Sequence, residues 1–425
     1  MHIRALCLSR KIQADLEFLV GSEISMSNIP NNLWSLPLAP ESTKHFLSDT
    51  IPLNTGAPRF LLNSRVKSAI IESVEKTQYL SYPPTRGIAE MQEKIANFYR
   101  TRFDTPYTAE NIIITYGASQ ALYNVLVSTH GDDEVLIPAP FWFAFPNIVA
   151  QGRGKLKIVH TSAEDNFKLT PRLLSQSITW KSRILILTNP NNPTGAIYTR
   201  EELDALVQVL KKHPRLLVIS DEVYNLVLVD GKDSTNVVTC PSIGSWPELR
   251  DRVLTVNSLS KNYAMSGLRV GFIAANQSLI DLYLQKQNYS TSGVNEYLQQ
   301  GAIAAIEVSE GIVSSIVEKL VARRAKAIEL LKTVPNTSYI VPQAAYFFFW
   351  NIEYYIGCRT ENGTLIESDI DLADYLLQDA NVAVVAGSLC GTPGYFRITY
   401  AIEEDLFERG ITQIKESLQK LRCRG

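Results

Sequence analysis

The strongest chemical candidate in this chain is Lys261, set in Ser258-Leu259-Ser260-Lys261-Asn262-Tyr263-Ala264-Met265-Ser266-Gly267-Leu268-Arg269. Among small and apolar neighbours, desolvation lowers the pKa of an ammonium and makes the amine nucleophilic. Ser258 and Arg269 in the same segment offer donors arranged for a phosphate. A lone lysine in a loop reads as a solvated surface charge, so Lys261 needs partners. Asp221 opens Asp221-Glu222-Val223-Tyr224 behind an apolar run. A carboxylate there is costly unless a cation or donor meets it. That makes Asp221 a candidate partner for a protonated ring nitrogen, although its local context also suits a helix N-cap. Asn192 lies within Asn189-Pro190-Asn191-Asn192-Pro193-Thr194-Gly195, a turn stiffened by its prolines that presents a side-chain amide. Gly117-Ala118-Ser119-Gln120 reads as a small-residue turn entering a helix, where free N–H groups and the helix dipole favour an anion. Taken singly, that turn is a cap and the Asn192 turn is a loop.

All of these clusters follow short apolar runs, and the runs are what must position them. Segments 111–116, 134–138, 156–160, 183–188, 216–220, 253–257 and 270–275 are mostly continuous and β-rich, as expected of strands covered on both faces. Amphipathic stretches alternate with them; in 201–212, Leu203, Leu206, Val207 and Leu210 fall on one face. The alternation predicts an α/β large domain with a mostly parallel sheet flanked by helices. Ligands of such sheets gather at the carboxyl ends of the strands, where these clusters lie. A long helical stretch over about 294–334 then gives way to short strands at 346–351, 382–385 and 396–400, with helices near 368–379 and 402–421. That pattern predicts a smaller α+β domain. Prolines 30, 37, 40, 52 and 58 break the opening segment into an irregular arm. The expected organisation is an N-terminal arm over 1–60 that belongs with the small domain, a large domain over 61–310 and a small domain over 311–425.

The ordered set GAS, NPNNPTG, SDEVY, SLSKNYAMSGLRVG and FRITYA, running from Gly117 to Ala401, resembles the class I aminotransferases of the fold-type I pyridoxal-phosphate enzymes. The resemblance covers nearly everything beyond about residue 50, and its two longest motifs are specific. It implies that Lys261 forms the covalent link to pyridoxal 5'-phosphate. Asp221 would hold the pyridine nitrogen protonated, with Tyr224 and Asn192 on the ring hydroxyl oxygen. Ala118, Ser119, Ser258 and Arg269 would meet the phosphate, and Tyr82 would reach the phosphate of a neighbouring subunit in a homodimer. Trp142 would stack on the ring, although Phe141, Phe143 and Phe145 beside it read mainly as core. Arg397 would clamp the substrate α-carboxylate, with Gly56 of the arm beside the substrate. The reaction implied is transfer of an amino group from an L-amino acid to a 2-oxo acid by a ping-pong cycle; the alternative is a lyase, cyclase or oxidase of the same fold.

Four features depart from the family pattern. Phe145 stands where aspartate-specific members place a histidine behind the pyridine-binding aspartate. Arg59 follows Gly56-Ala57-Pro58 where an aspartate is usual, and Gln343-Ala344-Ala345-Tyr346 replaces a common glycine. The first 50 residues lack the family's opening helix pattern.

A formal charge of −2 over 425 residues provides no field for nucleic acid or an anionic membrane. A regulator built on this fold would need a basic recognition helix, which the proline-broken opening does not supply. No apolar run reaches membrane-spanning length, and Ala5-Leu6-Cys7-Leu8 is too short for a signal core. Cys7, Cys240, Cys358, Cys390 and Cys423 are scattered, with no zinc-like spacing. The expectation is reduced, buried thiols in a cytoplasmic protein with no metal site.

Overall fold

The computed structural model describes residues 49–78, 81–128, 131–230 and 240–423. Cys7 and the prolines at 30, 37 and 40 lie outside them. Thirteen strands are described, beginning with β1 (Ile51–Pro52), and the next seven build the main sheet. These are β2 (Ile112–Thr115), β3 (Glu134–Ala139), β4 (Lys155–His160), β5 (Ser182–Thr188), β6 (Leu217–Asp221), β7 (Val253–Ser258) and β8 (Gly271–Ala274). They coincide with the seven apolar runs. Their order is β2-β8-β7-β6-β5-β3-β4, and every pairing is parallel except those of β8 with β2 and β7.

Most residues of these strands are buried, because helices cover both faces. The helix Arg200–Leu210 is started by a Thr199/Glu202 capping box and buries Leu203, Leu206, Val207 and Leu210, as its periodicity predicts. Each such side chain contributes roughly 1.5–3 kcal/mol on burial. These helices press on Leu136, Leu185 and Val218 of the sheet.

The long helical stretch is two helices, Glu296–Glu307 and Ser309–Leu331, bent by 76° at their junction. Among the described residues no single helix is long and apolar enough to cross a membrane. Beyond them come β9 (Ser338–Tyr339), β10 (Phe347–Asn351), β11 (Val382–Ala383), β12 (Val385–Ala386) and β13 (Tyr395–Thr399), with helices at Asp369–Asp379 and Glu404–Gln419. A second, antiparallel sheet runs β12-β13-β10-β9.

Three expectations need correction. The run at 382–385 is two strands, not one: β11 pairs with β1 of the arm, while β12 pairs with β13. Val384 between them lets consecutive residues serve different sheets, which an apolar run cannot reveal. Asp221 does not cap a helix; it is the last residue of β6, and its carboxylate accepts a hydrogen bond from Val223 N in the turn that follows. Cys358 and Cys423 are not free thiols but a disulfide. Paired backbone hydrogen bonds between Arg359 and Arg422 bring the two together across 65 residues, so no local spacing betrays the bond. Cys240 and Cys390 are free and buried, as expected.

Candidate active site

The carboxyl ends of β2, β5, β6 and β7 open onto one cavity, the place an open α/β sheet offers a ligand. Its wall includes Gly56, Ala118, Ser119, Trp142, Asn192, Asp221, Tyr224, Ser258, Lys261, Arg269 and Arg397. Asn54, Leu122, Phe143, Val223 and Ser260 complete it. Tyr82 is elsewhere. It is 94% exposed and lines a neighbouring groove with Tyr116, Ser292 and Tyr297.

At one end of the cavity, Gly117 begins the helix Gly117–Leu126, whose first-turn N–H groups at Ala118 and Ser119 have no partner within the helix. Arg269 folds over this turn in a left-handed conformation, φ 55°, donating to the carbonyls of Ser266 at 2.9 Å and Tyr116 at 3.5 Å. Gly117 itself has φ +75°, and a Cβ there would stand 2.7 Å from an Arg269 guanidinium nitrogen. The positive φ is what calls for glycine, since the guanidinium is the end of a flexible side chain that can shift aside. Free amides, a serine hydroxyl and a guanidinium converge there, a donor set that fits a phosphate.

In the middle, Asp221 ends β6 at 4% exposure, and burial pushes its carboxyl up to about 7. The Val223 amide and the charge of Lys261 pull the other way. A cation against this carboxylate would draw it back toward the ionised form. Lys261, just past β7 in the short helix Leu259–Asn262, moves oppositely, down to about 8. Burial is the chief cause, Arg397 and Arg269 add to it, and Asp221 opposes. Its Nζ donates to the carbonyl of Gly56 at 2.6 Å. Tyr224 is buried, and burial raises its phenol.

The second sheet supplies the far wall. Arg397 on β13 is 2% exposed, its guanidinium 5.5 Å from the centre of the Phe143 ring and 4.6 Å from that of Phe347. It donates to Asn192 Oδ1 at 3.3 Å and to the carbonyl of Asn54 at 2.7 Å. Its buried Nε has no protein partner. Burial lowers its pKa, yet a guanidinium stays charged. An orphaned donor on a buried cation fits a carboxylate ligand.

Two residues of the cavity wall and two just behind it are assigned no role in the site by the sequence. Asn54 turns its carbonyl, which sequence cannot indicate, toward Arg397. Phe143 reads as one of the core rings, whereas only Phe141 and Phe145 are fully buried; Trp142 packs edge-on against Phe145 at 5.4 Å. Tyr346 donates to the carbonyl of Gly56 at 2.9 Å. Glu222, next to Asp221, accepts from Ser220 Oγ at 2.7 Å, Ser242 Oγ at 2.6 Å and Tyr99 Oη at 3.1 Å. Burial pushes its carboxyl up to about 7. Buried polar groups on this scale call for such partners, and two of them arrive from 20 and 123 residues away.

Comparisons with known proteins agree with this arrangement. The family described as aminotransferase class I and II matches residues 48–414. A probable aspartate/prephenate aminotransferase of Rickettsia bellii is 33% identical over 374 residues, covering 88% of this chain and 92% of that protein. A bifunctional aspartate aminotransferase and glutamate/aspartate-prephenate aminotransferase of Petunia hybrida is 32% identical, covering 87% of this chain and 76% of that protein. Among solved structures, the aspartate aminotransferase of Rhizobium meliloti superposes with a TM-score of 0.82 at 30% identity, covering 88% of this chain and 92% of that one. The aromatic aminotransferase of Pyrococcus horikoshii gives 0.79 at 30% identity, with 88% and 96% covered. With the lysine, the buried aspartate and the donor-lined cavity in place, the chain belongs to the class I and II aminotransferases and is a pyridoxal 5'-phosphate-dependent enzyme of amino-group transfer.

Proposed function

We propose that Lys261 carries the cofactor and, once freed by the incoming amino acid, moves the proton at substrate Cα. The observation that supports this most is the place of its half-buried amine, 2.6 Å from the Gly56 carbonyl in a cavity with one buried carboxylate and two guanidinium groups, surroundings that lower it to about 8. An amine of this kind is largely protonated at rest yet close enough to neutrality to exchange its proton. When bound, pyridoxal phosphate supplies an electron sink for the charge left at Cα.

The other residues bind and orient. Ala118, Ser119, Ser258 and Arg269 hold the phosphate, Asp221 keeps a proton on the ring nitrogen, and Asn192 and Tyr224 hydrogen-bond the ring hydroxyl oxygen. Trp142 covers the ring face. Arg397 takes the α-carboxylate beside Gly56, and its bond to Asn192 ties substrate and cofactor positions together. Tyr82, almost fully exposed and away from the cavity, is the residue proposed to reach the phosphate of a second copy in a homodimer. The large domain over 61–310 holds the cofactor, and the small domain over 311–425 with the arm closes on the substrate. The proposed compartment is the cytoplasm; the Cys358–Cys423 bond argues against it, since thiols there are kept reduced. Fractionation of cells would place the protein directly.

The decisive assay mixes the yellow holoenzyme with single amino acids and follows its absorbance. Conversion to the aminated cofactor, reversed by a 2-oxo acid, supports the proposal and names the substrate class. Release of ammonia or peroxide with no aminated form would overturn it.

A further inference from the structure

The carbonyl of Gly56 accepts two hydrogen bonds, one from Lys261 Nζ at 2.6 Å and one from Tyr346 Oη at 2.9 Å. Gly56 is on the arm, Lys261 follows β7 of the main sheet, and Tyr346 immediately precedes β10 of the second sheet. Three separate parts of the chain therefore meet on one oxygen. Tyr346 is fully buried, and its ring packs edge-on against Tyr224, with centroids 5.6 Å apart. The carbonyl is itself well fixed, because the preceding Asn54 carbonyl is held by Arg397 and the Leu53 carbonyl by Thr399 N at 2.9 Å.

We propose that Tyr346 is a positioning residue for Lys261: by sharing the Gly56 carbonyl, it fixes where the free amine docks and limits how strongly that oxygen holds the amine's proton. This rests on the reading that Lys261 is the cofactor lysine. A carbonyl oxygen has two lone pairs, and a donor on one withdraws density from the other. With Tyr346 in place, the amine has a fixed acceptor that competes only moderately for its proton. Without that hydroxyl, the same oxygen becomes the better acceptor for an ammonium, and the amine keeps its proton to higher pH. The charged groups acting on Lys261 are Arg397 from β13, Arg269 from the turn before β8 and Asp221 from β6. The titratable hydroxyls beside the carbonyl are those of Tyr346 and Tyr224. Tyr346→Phe keeps the ring in its packing site but takes the hydroxyl away from both the Gly56 carbonyl and Tyr224, to which it also hydrogen-bonds.

The test uses the holoenzyme converted to its aminated form, in which Lys261 is free. The rate at which acetic anhydride labels Lys261, read by peptide mass against pH, reports the titration of its amine without turnover. For Tyr346→Phe the midpoint should rise by roughly half a unit to one unit. At neutral pH kcat should fall about threefold to tenfold, with KM within about twofold. Tyr400→Phe is the control: that buried hydroxyl also donates to a backbone carbonyl, of Ala345 at 3.1 Å, and should leave the midpoint in place. An unchanged or lowered midpoint in Tyr346→Phe, or an equal rise in the control, overturns the proposal. Failure of the underlying reading looks different: borohydride reduction of the parent enzyme would then attach the cofactor to a residue other than Lys261.

Discussion

The two walls of the cavity are built from opposite kinds of sequence. The wall proposed to hold the cofactor is the rim of a mostly parallel sheet, where Ser119, Asn192, Asp221, Ser258 and Lys261 each sit within a few residues of a strand end. The wall proposed to face the substrate is assembled from an arm, an antiparallel sheet and one aromatic run, through Gly56, Asn54, Arg397 and Phe143. On the first side the residues are local consequences of strand-then-turn, so the wall keeps its shape one loop at a time. On the second, Arg397 holds the arm across 343 residues and the Asn192 turn across 205. A buried cation whose partners come from so far apart is costly to form and sensitive to any loss. Damage to the first wall should therefore act on the cofactor and its chemistry, while loss of the Arg397 fork should act mainly on substrate binding.

The largest effect expected is from Lys261→Ala, which should lower turnover by roughly 10⁵-fold or more while the chain still folds, as judged by circular dichroism. Asp221→Asn comes next. It keeps the shape but removes the charge facing the ring nitrogen, and kcat measured at saturating substrate should fall roughly 10²–10³-fold. Arg397→Lys tests the other wall: losing the planar fork should cost about 10²-fold in kcat/KM, most of it in KM. A loss confined to kcat would erase the distinction between the walls. Gly117→Ala should weaken cofactor retention by about tenfold in equilibrium dialysis, since a Cβ at φ +75° costs roughly 1–2 kcal/mol before it meets Arg269. The smallest effect on activity is expected from reduction of Cys358–Cys423. Opening a 65-residue loop removes about 4 kcal/mol of stability, visible as a lowered Tm, with kcat nearly unchanged.

The pH dependence carries its own sign. In its proposed role Lys261 can act as a base only when unprotonated, and burial brings its amine down to about 8. The kcat of the parent enzyme should therefore rise with pH and level off above about 8. A flat profile between pH 6 and 9 would separate the amine from the rate.

The contrast between the walls also explains how much of the molecule is legible in its amino-acid sequence. Strands such as Ile112–Thr115 and Val253–Ser258 are short, apolar and punctuated by polar turns, so the sheet and the residues at its rim can be read together. Arg397 and Gly56 are reached only through a family resemblance, because nothing near either of them signals a ligand. Tyr346 and Glu222 escape such a reading because a buried hydroxyl or carboxylate is defined by its partners, and those lie on other elements. The reversed direction of β8 is equally hidden, since parallel and antiparallel strands buried on both faces look alike in sequence. The Cys358–Cys423 bond joins this group: the pairing depends on the Arg359–Arg422 backbone contact rather than on spacing.

All of the chemistry proposed for this cavity depends on one covalent bond. Reducing the yellow holoenzyme with borohydride, digesting it and sequencing the cofactor-bearing peptide should return the segment around Lys261 with the label on that residue. A label on any other lysine, or none, would contradict that assignment.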